Sequence, residues 1–196
     1  MTSNRQPAVV LVHGLWNTVN IFWQLRAYLE ARGWLVYAVS LTPNNGDISI
    51  EQQAYQLKTF VEESLADRPS FDLLGFSMGG LVSRYYLQRL YGLERVRRFV
   101  GVVVPHYGSA LAWLRWNIGG RQMRPGSSFL NDLNRDVERL SVCHPLSLWT
   151  PYDLLVLPAH HCCLPVGETQ RLSVSSHDNM LRDERSLAAI ATGLSR

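Results

Sequence analysis

Short apolar runs alternate along the chain with longer stretches in which apolar residues recur at helical spacing. The first run, residues 8–12, is continuously apolar and ends at His13-Gly14, which is typical of a strand buried in a parallel sheet. Five further strands are predicted at residues 34–41, 71–76, 96–104, 146–149 and 171–174.

Helices are predicted between these strands. Residues 20–31, residues 50 to about 67 and residues 77–91 have apolar positions three or four apart, and Ser49 and Gln52 have the spacing of a capping box. A last amphipathic helix is predicted around residues 187–194. Strands that alternate with helices predict an α/β fold with about six strands, mostly parallel and flanked by helices. We expect a single domain over residues 1–196 with a minimal cap.

Residues 107–126 interrupt this alternation. They include Trp113, Trp116 and three arginines. Two interpretations stand side by side: a short lid or flap over an active site, and a plain surface loop with two packed tryptophans. On a helix the two tryptophans would lie one turn apart, so as a flap they would bind substrate.

Composition excludes several classes of protein. Hydrophobic residues make up 46% of the chain and charged residues 18%, as in an ordinary globular protein. The net charge of +3 is too small for a typical nucleic-acid-binding protein. The basic residues are nearly all arginines, which suit a solvated face or a transient contact with an anionic lipid surface. We expect a monomer.

The cysteines and the N-terminus bear on the compartment. Three cysteines, two of them adjacent, make a poor disulfide framework, and residues 1–7 lack the apolar region of a secretory signal. A cytoplasmic location is predicted. The run His160-His161-Cys162-Cys163 resembles a metal site in composition, but four consecutive residues do not readily converge on one ion. No metal and no other cofactor is predicted.

The sequence Gly75-Phe76-Ser77-Met78-Gly79-Gly80 is the strongest chemical signal. It follows a predicted strand and opens a predicted helix, and it matches the pattern G-x-S-x-G. Such a turn exposes a serine hydroxyl beside the free N–H groups of a helix N-terminus. Ser77 is therefore predicted to be a nucleophile.

A serine nucleophile needs a base and a group that orients the base. His177 follows the last predicted strand and Asp153 follows the strand before it, so both should reach the carboxyl edge of the sheet, where Ser77 lies. Asp72 and Glu168 belong to the opposite edge, and Asp178 is too close to His177 in sequence to bond its ring well.

The oxyanion hole requires two backbone N–H groups. One is assigned to Met78, directly after the nucleophile. The other is assigned to the turn after the first strand, with Leu15 the first choice and Trp16 the second. Because they end strands or lie in that turn, His13, Trp16 and His106 are predicted to line the substrate pocket together with Trp113 and Trp116.

Five segments resemble those of the α/β-hydrolase superfamily, and within it the small, nearly lidless bacterial lipases and esterases. They are V-L-V-H-G-L-W at 10–16, G-F-S-M-G-G at 75–80, P-H-Y-G-S at 105–109, P-Y-D-L-L-V at 151–156 and the His177 loop. The resemblance implies Ser77 as nucleophile, His177 as base and Asp153 as orienting acid, and hence a carboxylic-ester hydrolase acting on lipid-like or apolar acyl esters. An acyltransferase or acyl-thioesterase with the same triad, and a non-catalytic binding protein, remain alternatives.

Overall fold

The computed structural model describes residues 6–195. Residues 1–5 and 196, which fall within the predicted domain and partly within the segment assessed for a signal, lie outside the described residues. Within residues 6–195 the strands are β1 (Ala8–Val12), β2 (Leu35–Val39), β3 (Phe71–Phe76), β4 (Val96–Val102), β5 (Leu146–Trp149) and β6 (Glu168–Arg171). They form one sheet of order β2-β1-β3-β4-β5-β6, and every neighbouring pair is parallel. The predicted fold class is confirmed.

The α-helices in the same range are α1 (Trp23–Glu30), α2 (Ile50–Ser64), α3 (Met78–Arg89), α4 (Ile118–Gln122), α5 (Ser128–Arg135) and α6 (Glu184–Ser195). Short 3-10 helices occupy Val19–Phe22, Gly92–Glu94, Ala110–Leu114, Val137–Cys143, Ala159–Cys162 and Asp178–Leu181. Nowhere in this part of the chain does a helix combine the length and apolar character needed to cross a membrane.

Helices cover both faces of the sheet, and alternation along each strand supplies a core to each face. In β1, Val10 and Val12 pack into one cluster with residues of α2 and α3. Val9 and Leu11 pack into the other with residues of α1 and α6. Burial on both faces explains why β1 is apolar at every position.

Most element ends differ from prediction by a few residues. The helix predicted over residues 20–31 begins as the 3-10 turn Val19–Phe22, and α2 ends at Ser64 rather than near residue 67. The predicted capping box is present: Gln52 N–H donates to Ser49 Oγ (3.2 Å) and Ser49 N–H donates to Gln52 Oε1 (3.0 Å).

The last strand was predicted wrongly. It spans Glu168–Arg171, not residues 171–174, and all four of its residues are exposed. It joins the sheet through its backbone, with Glu168 beside Leu146 and Arg171 beside Trp149. Leu172 and Val174, whose apolar character suggested a strand, are buried in the segment that follows. An exposed edge strand has no apolar face for a sequence pattern to reveal.

Close packing of α3 against the sheet depends on three glycines. A Cβ at Gly79 would collide with the backbone carbonyl of Val12, one at Gly80 with the Val104 side chain, and one at Gly75 with the Gly80 backbone. Hydrogen atoms at these positions let the start of α3 lie directly on β1 and β3. The helix N-terminus is thereby fixed at the carboxyl edge of the sheet.

This packing predicts a large stability difference between two glycine substitutions. Gly79→Ala should lower the free energy of unfolding by roughly 2 kcal/mol or more, because the new methyl group meets rigid backbone. Gly193→Ala in α6 is the matched control: its Cβ would lie 2.5 Å from Leu146 Cδ2, the movable end of a side chain. The control should change stability by less than about 1 kcal/mol. Urea unfolding of both variants measures the difference, and equal stabilities would contradict the packing account.

Candidate active site

Ser77 lies at the junction of β3 and α3 in an unusual backbone conformation. Its φ is 52° and its ψ is −127°, a region that a non-glycine residue adopts only when its surroundings enforce it. Its N–H donates to the Val102 carbonyl (2.9 Å), and its own carbonyl accepts from Gly80 N–H (2.9 Å). The serine is thus fixed from both sides, half-buried, at the N-terminus of α3.

Asp153 and His177 form a buried pair. His177 Nδ1 lies 2.7 Å from Asp153 Oδ2, and both side chains are almost fully inaccessible to solvent. The other carboxylate oxygen, Oδ1, accepts the N–H groups of Leu155 (2.8 Å) and Val156 (2.9 Å). The imidazole also packs on Phe76, with ring centroids 5.0 Å apart. These contacts hold the carboxylate and the ring in one relative orientation.

A cavity of about 500 Å³ connects the serine with the histidine. Its lining is mostly apolar and comprises Leu15, Trp16, Asn17, Ser77, Pro105, Ser109, Leu111, Ala112, Leu114, Arg115, Met123, Leu155, Val156, His177 and Asp178. The two residues predicted to react therefore line the same space. The segment predicted as a flap contributes more wall residues than were predicted, notably Leu111, Ala112 and Met123. Their apolar character was visible in the sequence, but the position of their side chains was not.

The turn after β1 forms another part of the wall. Trp16 adopts a left-handed φ of 58°, and its N–H donates to the Asn44 carbonyl (2.7 Å). This N–H is therefore engaged within the protein, which argues against Trp16 as the oxyanion donor. Leu15, the first choice, borders the cavity beside Ser77, and Met78 is the first residue of α3.

His13 differs from its prediction as a pocket residue. It is fully buried, its Nε2 accepts the Leu41 N–H (3.0 Å), and its Nδ1 lies 3.0 Å from the Gly14 carbonyl, to which it donates. Burial lowers its pKa, opposed in part by the hydrogen bond to Gly14. A neutral His13 thus braces the turn that carries Leu15 rather than contacting substrate.

His106 is also buried behind the cavity rather than in its wall. Its Nδ1 lies 3.4 Å from Arg84 Nη1, and its carbonyl accepts from Asn134 Nδ2 (3.1 Å). Burial, aided by the Arg84 charge, holds the pKa of His106 well below its usual value. Arg84 is itself buried, which lowers its pKa to about 10, and it donates to the Leu133 carbonyl (2.8 Å).

Trp113 and Trp116 lie on the surface rather than over Ser77. Arg115, between them, has extended backbone, so the two tryptophans do not share a helical turn as predicted. The Arg124 guanidinium carbon lies 4.7 Å from the ring centroid of Trp113 and 5.7 Å from that of Trp116. Neither tryptophan lines the cavity; from the same segment Leu111, Ala112 and Met123 do.

Residues 107–126 are fastened at both ends of the cavity. On one side Arg115 Nη2 (2.7 Å) and Asn117 Nδ2 (2.9 Å) donate to the Asn45 carbonyl. On the other, Ser109 Oγ donates to the Leu155 carbonyl (2.8 Å), and Ala110 N–H donates to the Leu157 carbonyl (2.8 Å). The segment is thereby tied to Asn45, next to the Asn44 carbonyl that accepts the Trp16 N–H, and to the loop that contains Asp153.

The histidine–cysteine run lies near this segment. His160 and His161 belong to the 3-10 turn Ala159–Cys162, and His161 Nδ1 donates to the Gly108 carbonyl (2.8 Å). Cys143, Cys162 and Cys163 are free thiols. In the part of the chain that the structure describes, no group of three metal-ligating side chains is close enough to hold an ion.

Comparison with known families identifies the family to which this fold belongs. The family model described as the alpha/beta hydrolase fold matches residues 7–142. The chain belongs to the α/β-hydrolase family. The matched residues include the turn that contains Ser77 and four of the six described strands, β1 to β4.

Solved structures similar to this α/β-hydrolase include lipases and esterases. The mature form of Bacillus licheniformis lipase BlEst2 has a TM-score of 0.82 at 16% identity, covering 96% of this chain and 92% of that one. Aspergillus fumigatus lipase B has a TM-score of 0.83 at 16% identity, covering 99% of this chain and 54% of that one. A lipase-esterase related protein from Clostridium acetobutylicum has a TM-score of 0.67 at 14% identity, with coverages of 96% and 93%. Curated proteins gave no significant sequence match.

The geometry predicts which carboxylate matters for the histidine. Asp153→Asn should lower kcat for an ester substrate on the order of a thousandfold or more, because an amide favours the wrong imidazole tautomer. Asp178→Asn is the matched control, since Asp178 is exposed and follows His177 directly. The control should stay within about threefold of the unmodified enzyme. The opposite ranking in initial-rate assays would refute the Asp153 assignment.

Because buried histidines resist protonation, we expect the free energy of unfolding to decrease at acid pH. The pKa of His106 is lowered in the folded state, so the unfolded chain binds more protons below about pH 6.5. Stability should therefore fall as the pH drops below that value. His106→Asn should make this dependence shallower by up to about 1.4 kcal/mol per pH unit. Urea unfolding across the pH range measures the slopes; identical slopes for both proteins would contradict the burial of a neutral His106.

Proposed function

We propose that this α/β-hydrolase is a serine carboxylic-ester hydrolase that acts on esters with apolar acyl groups. The observation that carries the proposal is the buried Asp153–His177 pair (2.7 Å) next to a cavity that Ser77 also lines. A strained serine, a histidine and a carboxylate that orients the histidine are the components of acyl transfer by serine. The similar lipases support the fold on which this chemistry occurs.

In the proposed reaction Ser77 Oγ attacks the ester carbonyl and His177 Nε2 accepts the hydroxyl proton. Asp153 keeps the proton of His177 Nδ1 in place and stabilises the imidazolium that forms. His177 then gives its proton to the departing alcohol, which leaves an acyl group on Ser77. Water, deprotonated by the same histidine, releases the acid and restores the enzyme. None of these steps calls for a metal or organic cofactor.

The N–H groups of Leu15 and Met78 are the proposed oxyanion donors. Met78 supplies a free N–H at the start of α3, where the helix dipole favours negative charge. Leu15 follows the braced His13-Gly14 turn, and the adjacent Trp16 N–H is already engaged by Asn44. Donors fixed before the reaction stabilise the oxyanion without reorganisation.

The cavity lining favours an apolar acyl chain. Leu111, Ala112, Leu114 and Met123 lie along one wall, and Leu155 and Val156 along another. A volume of about 500 Å³ is in the range of pockets that enclose small organic ligands. The enzyme is proposed to work as a monomer on a small or lipid ester, without nucleic acid, and its three free thiols suit the reducing cytoplasm.

Two alternatives use the same cavity. An acyl-enzyme can pass its acyl group to another alcohol or form from a thioester, which would make the protein an acyltransferase or a thioesterase. Assays of p-nitrophenyl esters beside acyl-CoA, with and without an acceptor alcohol, separate these activities. A binding protein without catalysis would leave Ser77 unreactive toward a fluorophosphonate.

Loss of the nucleophile tests the proposal directly. Ser77→Ala should keep the fold and lose hydrolysis of a dissolved short-chain p-nitrophenyl ester by several orders of magnitude. Circular dichroism supplies the control for folding. Because the segment over the cavity is fastened, the unmodified enzyme should hydrolyse this ester below its solubility limit. Substantial turnover by folded Ser77→Ala protein would overturn the proposal.

Chain-length preference should depend on the side chains beneath the tryptophans. Leu111→Ala removes three carbon atoms from the cavity wall, so it should raise kcat/KM for long-chain p-nitrophenyl esters relative to short ones. The expected gain is roughly tenfold, for one to two further methylene groups of the acyl chain buried in the new space. Val142→Ala is the control, since Val142 is exposed and does not line the cavity. An unchanged preference in Leu111→Ala would show that the acyl chain lies elsewhere.

A further inference from the structure

Exposed apolar side chains lie in the wall of the cavity, at Trp16, Leu114 and Leu155, and next to these residues in the sequence. On one side they belong to residues 113–118 and include Trp116, with 82% of its surface exposed, and Leu114, with 77%. On the other side Leu154 is 75% exposed, next to Leu155 in the cavity wall. Trp16, in the turn after β1, is 66% exposed. We define the mouth rim as Trp16, Trp113, Leu114, Trp116, Ile118, Leu154 and Leu155. Large exposed apolar groups concentrated in one area mark an interaction surface.

Arginine side chains contact the aromatic residues of the rim. The Arg115 guanidinium carbon lies 4.1 Å from the Trp16 ring centroid, and Arg124 lies over Trp113 and Trp116. Arg121 is exposed on the adjoining α4. Residues 107–126 contain three arginines and no aspartate or glutamate. All charged residues of the segment that supplies most of the rim are therefore positive.

The positive charge of these arginines is not compensated by their observed hydrogen bonds. Arg124 Nη2 donates to the Arg115 carbonyl (2.7 Å) and Nε to the Ala112 carbonyl (3.3 Å). Arg115 Nη2 donates to the Asn45 carbonyl (2.7 Å). Neutral carbonyl oxygens fix the orientation of a guanidinium but leave its charge to attract an external anion. Several carboxylates lie nearby. Asp47 accepts from Asn117 Nδ2 (3.1 Å), Asp178 borders the cavity, and Glu51 and Asp132 line a separate groove with Ile118 and Arg121.

We propose that the mouth rim docks on the surface of an anionic phospholipid bilayer. Tryptophan and leucine side chains enter the boundary between head groups and acyl chains, where amphipathic rings are favoured. The arginines beside them meet the lipid phosphates, and a negative surface potential attracts each one. Docked in this orientation, the cavity opens directly toward the bilayer, so that a lipid acyl ester reaches Ser77 without crossing bulk water.

The proposed docking places the cavity described above against a lipid surface. That a lipid ester is then the substrate rests on the proposed ester hydrolysis. Docking itself does not require the nucleophile. Binding is therefore measured in the Ser77→Ala protein, so that failure to dock and failure to hydrolyse are separate results. Co-sedimentation with vesicles of phosphatidylcholine alone, and of phosphatidylcholine mixed with phosphatidylglycerol, gives the partition coefficients.

The Ser77→Ala protein should bind the mixed vesicles at least about tenfold more tightly than phosphatidylcholine vesicles, with binding that weakens as salt is added. Adding Trp113→Ser and Trp116→Ser should reduce the binding at least about tenfold, since each ring buries a large apolar area. Tyr91→Asn is the control, because Tyr91 is an equally exposed aromatic residue beyond the far end of α3. It should bind like its parent.

A second pair of variants tests the charge. Arg121→Gln should weaken binding to the mixed vesicles about fivefold, whereas Arg32→Gln, at the far end of α1, should have no effect. Three results would overturn the proposal: equal binding to both vesicle types, unchanged binding after loss of both tryptophans, or a stable dimer in sedimentation velocity that the tryptophan substitutions dissociate. The last result would assign the rim to a second copy of this chain.

Discussion

Direct contact between α3 and the sheet is the constraint on which the remaining site geometry depends. Gly79 and Gly80 lie so close to β1 and to Val104 that side chains there would displace the helix. Because α3 cannot move away, the chain turns sharply at Ser77 and holds a φ of 52°. Such a conformation costs on the order of 1–3 kcal/mol. The close packing on either side supplies that energy and directs the helix N-terminus toward the cavity.

The other parts of the site are held by loops that are tied to one another. Ser109 links residues 107–126 to the loop of Asp153, and the Leu155 and Val156 N–H groups fix the Asp153 carboxylate. On the opposite side, Asn45 accepts bonds from Arg115 and Asn117. The neighbouring Asn44 carbonyl accepts the Trp16 N–H. A disturbance in residues 107–126 would thus reach both Asp153 and the turn proposed to supply an oxyanion donor.

Sequence patterns predicted the parts of this molecule that repeat at the period of a strand or helix. Burial on both faces made β1 continuously apolar, and the glycines around Ser77 indicated a tight turn. The site residues Asp153 and His177 could be chosen because parallel strands end at one edge. Asp153 and His177 are 24 residues apart in sequence. Both follow strands that end at the same edge of the sheet, which brings their side chains close together.

Features that depend on irregular backbone could not be predicted in this way. β6 is exposed and polar, so its strand pairing left no apolar pattern. The flap interpretation placed Trp113 and Trp116 one helical turn apart over the cavity, and the alternative was a surface loop with packed tryptophans. Both rings are exposed instead, and the Arg124 guanidinium lies over them. His13 and His106 end strands at the correct edge, but only the structure shows that their rings turn into the protein. Side-chain direction after a strand end is set by tertiary contacts, which a local pattern does not contain.

The central claim, that Ser77 is activated by the His177–Asp153 pair, is tested most directly by covalent labelling with a small fluorophosphonate followed by peptide mass spectrometry. We expect one adduct per chain on the peptide that contains Ser77, with concurrent loss of esterase activity. We also expect a labelling rate that falls by orders of magnitude in His177→Ala protein. Full esterase activity in protein that carries no adduct on Ser77, or labelling unaffected by His177→Ala, would contradict this claim.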